Sequence, residues 1–169
     1  MPIRIEPLSG AHDRSAFACG EPELDDYFHR RAGQDERRGI ARVFVAADDE
    51  LGIIGFYTLN TCALSAEELP RELARKLPRY QSIPAALIGR LARDLRVRGR
   101  GIGELLLADA VKRVLEADRT IAVWAILIDA KNPVTAEFYQ SFGFVPFPSR
   151  PSRLFLTTAT ARKAARPSR

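Results

Sequence analysis

The spacing of apolar residues changes several times along the chain, and each change marks an element. Pro2-Ile3-Arg4-Ile5-Glu6-Pro7-Leu8 alternates and stops at a proline, the pattern of an edge strand. Leu24, Tyr27 and Phe28 share one helical face, with Pro22 suited to the first turn; a helix is predicted to about Ala32 or slightly beyond. Arg42–Ala46 and Leu51–Leu59 read as a hairpin around the polar turn Asp48-Asp49-Glu50. A long connection carries Pro70, Pro78 and Pro84, with room for one or two helical turns over Arg71–Leu77.

A central strand follows, over about Ala86–Arg93. Leu107, Ala110, Val111 and Val114 then keep an i, i+3, i+4, i+7 spacing, so a helix covering a sheet is predicted over about 103–117. Thr120–Asp129 is apolar on both alternations, as a buried strand is. Asn132-Pro133 opens another helix as N-cap and first helical residue, and Gly143 closes it. Phe144–Phe147 and Ser152–Thr157 give two closing strands. This order predicts an α/β (α+β sandwich) fold with a mixed central sheet of six or seven strands, parallel in its middle, and helices on both faces. Residues 1–160 are expected to form one domain and 161–169 a basic, flexible tail.

The chain is organised around Arg98-Gly99-Arg100-Gly101-Ile102-Gly103, which lies between the central strand and its helix. Helix starts expose N–H groups at the positive end of the dipole, and glycines let an anion approach them. Two nucleotide fingerprints fail. Position 106 is leucine where a dinucleotide motif needs glycine, and Gly103 is followed by Glu104-Leu105 rather than Lys-Ser/Thr. What remains is Arg-x-x-Gly-x-Gly at Arg98, Gly101 and Gly103.

Composition narrows the partners. The net charge of +5 favours an anionic ligand without choosing between a cofactor phosphate and a nucleic acid. Cys19 and Cys62 lack motif spacing, so neither a disulfide framework nor a metal site is expected. No apolar run reaches membrane-span length and no signal segment is visible, so a cytoplasmic location is expected.

The glycine loop resembles the pyrophosphate loop of the GNAT superfamily of acetyl-CoA-dependent N-acetyltransferases. Asn132-Pro133-Val134-Thr135-Ala136-Glu137-Phe138-Tyr139-Gln140-Ser141-Phe142-Gly143-Phe144 resembles that superfamily's second signature. Phe17-Ala18-Cys19-Gly20 with Leu24-Asp25, Gly55-Phe56-Tyr57-Thr58-Leu59, Leu69-Pro70, Ile83-Pro84 and Leu87-Ile88-Gly89-Arg90-Leu91-Ala92 extend the resemblance over nearly the whole chain. They are similar to the TacT-like GNAT toxins of toxin–antitoxin pairs. Arg93 departs from the pattern, since many relatives have valine there.

The resemblance implies acetyl transfer from acetyl-CoA to the free amino group of aminoacyl-tRNA, blocking translation. It implies a small ribbon-helix-helix antitoxin as partner, a homodimer, and no metal. Backbone at Leu91, Ala92 and Arg93 would pair with the pantetheine. Arg98, Gly99, Arg100, Gly101, Ile102 and Gly103 would hold the pyrophosphate, with Asn132 and Phe138 beside the pantetheine arm. Tyr139 would protonate the leaving sulfur, thiol and phenol pKa values being about 8.5 and about 10.

Phe138, Phe142 and Phe144 also read as core aromatics, as does Trp124. Asp94, Asp129 and Glu137 are general-base candidates by position only; Asp94 and Asp129, at strand ends, read first as turn caps. His12 and His29 read as surface or packing residues. Arg71, Arg75, Lys76, Arg79, Arg90, Arg93, Arg96, Arg98 and Arg100 face only Glu72 and Asp94 in their stretch; Arg90, Arg93 and Arg96 are the tRNA-contact candidates. The alternatives are a GNAT enzyme acting on a small-molecule or protein amine, and a GNAT-fold protein that binds coenzyme A without turnover.

Overall fold

The computed structural model describes residues 2–78 and 82–165. Arg79, one of the basic residues named above, lies outside them. The strands are β1 (Ile3–Pro7), β2 (Arg42–Asp48), β3 (Gly52–Leu64), β4 (Ile83–Arg93), β5 (Ala125–Asp129), β6 (Val145–Phe147) and β7 (Arg150–Thr157). The helices are α1 (Pro22–Arg30), α2 (Ala32–Arg37), α3 (Arg71–Ala74), α4 (Ile102–Ala117), α5 (Pro133–Ser141) and α6 (Thr158–Ala165). The seven strands form one sheet in the order β1-β2-β3-β4-β5-β7-β6, flanked by helices. β4 and β5 pair in parallel; β1–β2, β2–β3, β5–β7 and β6–β7 pair antiparallel. The mixed sheet expected from the periodicities is therefore present.

The contacts divide the chain into two compact units, residues 1–60 with 89–110, and residues 61–88 with 111–169. The first is packed around Phe17, Tyr27, Phe28, Val43, Val45, Ile53 and Phe56. Phe28 and Phe56 stack at 4.3 Å, and Phe17 meets both edge-on at 4.9 and 5.5 Å. Such pairs add to area burial by about 0.5–1.5 kcal/mol each. The helical face read from Leu24, Tyr27 and Phe28 is thus the face that this core uses. The second unit is packed around Leu64, Leu69, Ile83, Ala85, Ala125, Leu127, Phe147 and Phe155, with Trp124 partly buried against it.

Three expectations change. The strand over Thr120–Asp129 begins only at Ala125. Asp118 Oδ1 accepts the Val123 N–H at 2.7 Å, and Ile121 is exposed, so this stretch closes the end of α4 instead of joining the ladder. Residues 161–165, expected in the tail, belong to α6. Ala161 is buried there, and Arg162 Nη2 donates to Asp118 Oδ2 at 2.7 Å and to the Leu115 carbonyl at 2.9 Å. Phe142, read as core, is 42% exposed, whereas Phe144 is buried.

Candidate active site

In the first unit the strand–loop–helix passage leaves a row of backbone donors open at the start of α4. Asp94, the residue after β4, is a buried carboxylate. It accepts from the Arg96 N–H at 2.8 Å, from Arg96 Nε at 2.9 Å and Nη2 at 3.0 Å, and from the Ala18 N–H at 3.1 Å. Burial alone would raise its pKa, but the Arg96 and Ala18 donors together hold it below the usual carboxylate range. Asp94 thereby caps the turn at Leu95–Val97, and it has no spare geometry for a general base.

The loop then needs left-handed backbone twice, at Gly99 (φ +80) and Gly101 (φ +74). An added Cβ at either would meet nothing within 4 Å, so conformation, and not packing, demands glycine. Leu105 N–H makes the first helical bond, to the Gly101 carbonyl at 3.1 Å. Among the described residues, the N–H groups of Gly99, Gly101, Ile102, Gly103 and Glu104 have no protein acceptor. Arg98 and Arg100 are exposed beside them. Five open amides, two exposed guanidinium groups and the positive end of a helix dipole give this loop the donors and charge that an anionic group requires.

The end of β4 supplies a second binding element. Asp94 N–H donates to the Ile54 carbonyl at 2.8 Å, toward β3. By strand alternation, the backbone groups of Leu91 and Arg93 project from the other edge. The parallel ladder to β5 stops at Ile88–Ile128, while β4 continues to Arg93. That edge suits an extended amide chain such as pantetheine, laid down as an added strand.

In the second unit, Asn132 caps α5. Its Oδ1 accepts from the Thr135 N–H at 2.8 Å and from Thr135 Oγ1 at 2.9 Å, which leaves its amide NH₂ for donation. Tyr139 is 4% exposed, set against Phe138 and Phe144. Its hydroxyl makes no hydrogen bond among the described residues, so its proton is uncommitted. Burial first, then the negative charge of Asp129, push its pKa up to about 12. The phenol is thus protonated across the physiological range, and it is a weaker acid than the ordinary value suggested. Phe138 is half-buried.

Asp129 is bound by both oxygens to Arg153, at 2.8 Å each, and the resulting pull keeps its carboxyl below the usual range. Glu137 is exposed on α5. Neither has a base's geometry. His29 and His12 are tied to the Phe17 carbonyl and to Glu6, each at 2.8 Å, as packing residues are.

The basic residues separate. Arg96 is committed to Asp94 and to the Leu51 and Ile53 carbonyls at 3.1 and 3.3 Å, so its guanidinium already serves the fold. The Arg90 guanidinium lies 3.6 Å from the centre of the Tyr27 ring. Arg93 is half-buried at the end of β4. Sequence reasoning missed the Arg96 clamp and the Tyr27 platform. Asp94-x-Arg96 is a local pairing that the spacing alone displays, whereas the Tyr27–Arg90 contact spans a distance no local pattern reports.

The profile of the acetyltransferase (GNAT) domain family matches residues 39–146. The chain belongs to the GNAT acetyltransferase family and is an acyltransferase. It is 37% identical over 94% of its length to a probable TacT toxin of Sinorhizobium fredii, covering 92% of that protein. It is 36% identical to a tRNA-acetylating toxin of Mycobacterium tuberculosis, over 92% of each chain.

Among solved structures, it resembles AtaT complexed with acetyl-methionyl-tRNAfMet, with a TM-score of 0.89, 28% identity and 96% and 99% of the two chains covered. It also resembles AtaTR bound with AcCoA, with a TM-score of 0.83, 27% identity and coverage of 96% and 97%. A mutant AtaT toxin bound to the C-terminus of the antitoxin AtaR superposes with a TM-score of 0.84 at 26% identity over the whole of both chains.

Proposed function

We propose that this protein is a toxin that acetylates the amino group of aminoacyl-tRNA from acetyl-CoA and so blocks translation. The observation that carries the reading is the near full-length similarity to a tRNA-acetylating toxin. The AtaT complex with acetyl-methionyl-tRNAfMet supports the same substrate class. Residues 1–160 constitute one catalytic domain in this reading.

Acetyl-CoA supplies a thioester carbonyl that an uncharged amine can attack. The amides of Gly99, Gly101, Ile102, Gly103 and Glu104, with Arg98 and Arg100, bind its pyrophosphate. The backbone of Leu91 and Arg93, with Ala92 between them, aligns the pantetheine, and Asn132 and Phe138 bound its arm. As the C–N bond forms and the C–S bond breaks, Tyr139 Oη gives its proton to sulfur, and the proton shed by the amine nitrogen restores the phenol. Burial that pushes the phenol up to about 12 keeps it protonated until the thiolate leaves, and makes it a weaker acid toward that thiolate than a free phenol. No side-chain base is needed, since an α-amino group with a pKa of about 7.7–8 is partly neutral at physiological pH.

The partners follow from the same reading: a ribbon-helix-helix antitoxin, and a second copy of the chain in a homodimer. The site of action is the cytoplasm, where charged tRNA and acetyl-CoA meet. No helix among the described residues is long and apolar enough to cross a membrane.

The test is transfer of labelled acetyl groups to a mixed aminoacyl-tRNA pool, with uncharged tRNA and Tyr139→Phe as controls. Label is expected on charged tRNA only, with kcat lowered on the order of 10² to 10⁴ by the substitution. Acetyl-CoA binding without tRNA labelling would redirect the assignment to a small-molecule or protein amine.

A further inference from the structure

Arg90 and Arg96 lie six residues apart and are used in opposite ways. Every edge of the Arg96 guanidinium is engaged, by Asp94 and two backbone carbonyls. Arg90 instead lies face-on against the Tyr27 ring, 3.6 Å from its centre, and its side chain donates no hydrogen bond among the described residues. Stacking uses the face of a guanidinium and leaves its in-plane N–H fork free. The platform is itself fixed. Tyr27 is buried, packs on Phe56 at 6.4 Å, and donates its hydroxyl proton to Asp35 Oδ2 at 2.9 Å. Asp35 is therefore engaged at the hydroxyl end of the ring, and no ion pair joins it to Arg90 among the described residues.

We propose that Tyr27 is a positioning residue that holds the Arg90 guanidinium as a preformed receptor for one phosphate of the tRNA substrate. The inference rests on the aminoacyl-tRNA reading and names a residue of its substrate site. Phosphates belong to coenzyme A as well as to tRNA, so both are assayed. A fixed fork binds a phosphate bidentately at lower entropy cost than a free arginine.

The experiment measures KM and kcat for aminoacyl-tRNA against salt concentration, and the Kd of acetyl-CoA, for wild type, Arg90→Gln, Arg90→Lys, Tyr27→Leu, Tyr27→Phe and the Tyr27→Leu/Arg90→Gln double variant. For Arg90→Gln, KM is expected to rise about tenfold, and the slope of log KM against log salt to fall by about 0.7 to 0.9, the signature of one lost phosphate contact. Tyr27→Leu is expected to raise KM about three- to tenfold, and Tyr27→Phe to restore it, because the ring carries the stack. The double variant is expected to match Arg90→Gln alone, with kcat and acetyl-CoA Kd unchanged throughout.

Additive effects in the double variant, or an unchanged salt slope in Arg90→Gln, would overturn the proposal. A raised acetyl-CoA Kd would assign the phosphate to the coenzyme and likewise overturn it. If Tyr27→Leu does not fold, Arg90→Lys decides: a defect as deep as that of Arg90→Gln supports a stacked guanidinium, and wild-type KM refutes it. Wild type that leaves aminoacyl-tRNA unlabelled would refute the toxin assignment itself, a result distinct from any of these.

Discussion

The starts of α4 and α5 follow the same plan, a strand feeding a turn and then a helix, but they treat their free amides differently. At α5, Asn132 folds back and accepts from Thr135. At α4, two left-handed glycines carry the chain into the helix, and the first amides have no protein acceptor among the described residues. The first arrangement stabilises the protein by itself. The second leaves its hydrogen-bonding capacity unused by the protein, and its local geometry is held instead by Asp94 and Arg96 just upstream. One helix start is closed by its own side chain, and the other is left open.

The sharpest way to break this contrast is Gly101→Val. A β-branched residue at φ +74 is strained, and the open amides would turn away from the anion. Acetyl-CoA affinity is expected to fall about a hundredfold, equivalent to about 3 kcal/mol. Gly39 provides a matched control, with φ +72 and equally open surroundings. Gly39→Val should cost similar stability in denaturant unfolding and leave acetyl-CoA affinity, read by calorimetry, unchanged. Equal affinity losses in both variants would show that the loop is merely a turn.

Asp94→Asn tests what holds the open start. Its carboxylate is buried and its pKa lies below the ordinary range. A depressed folded-state pKa contributes stability above the unfolded value, about 3.9, and loses it as pH falls through the folded value. Wild type should therefore lose this contribution only below about pH 4. The variant should be about 2 kcal/mol less stable at pH 7, with the gap closing in acid. Urea midpoints at pH 7 and pH 3 check both parts.

Much of this was legible in the residues because the relevant interactions are local. Pro22, Asn132-Pro133 and Gly143 act within one helical turn of themselves, and the structure places them at the helix ends that they predict. The glycines at 99 and 101 likewise marked a loop that an anion can approach, and their left-handed backbone emerged only in the structure. What stayed hidden depends on distant partners. Phe142 belongs to an aromatic run, but only the direction of α5 determines that it faces outward. Arg96 and Arg90 look alike in a basic stretch, and only the neighbouring carbonyls and Tyr27 separate them. Tyr139 was recognisable as an acid, but its shifted pKa comes from burial and from Asp129, ten residues away and drawn close by the fold.

The smallest effect is expected at the closed start. Asn132→Ala removes one side-chain acceptor from the first turn of α5, a loss of about 1 kcal/mol. Asn132→Asp keeps that acceptor and adds a favourable charge at the positive end of the helix dipole, so stability should return to the wild-type value or slightly above it. The pair also separates capping from pantetheine contact, because aspartate cannot supply the amide NH₂ that asparagine offers. If Asn132→Asp restores the unfolding midpoint but still raises the KM for acetyl-CoA, the side chain serves both ends, its oxygen the helix and its nitrogen the pantetheine. If KM returns with stability, capping is its whole role, and the contrast between the two helix starts is complete.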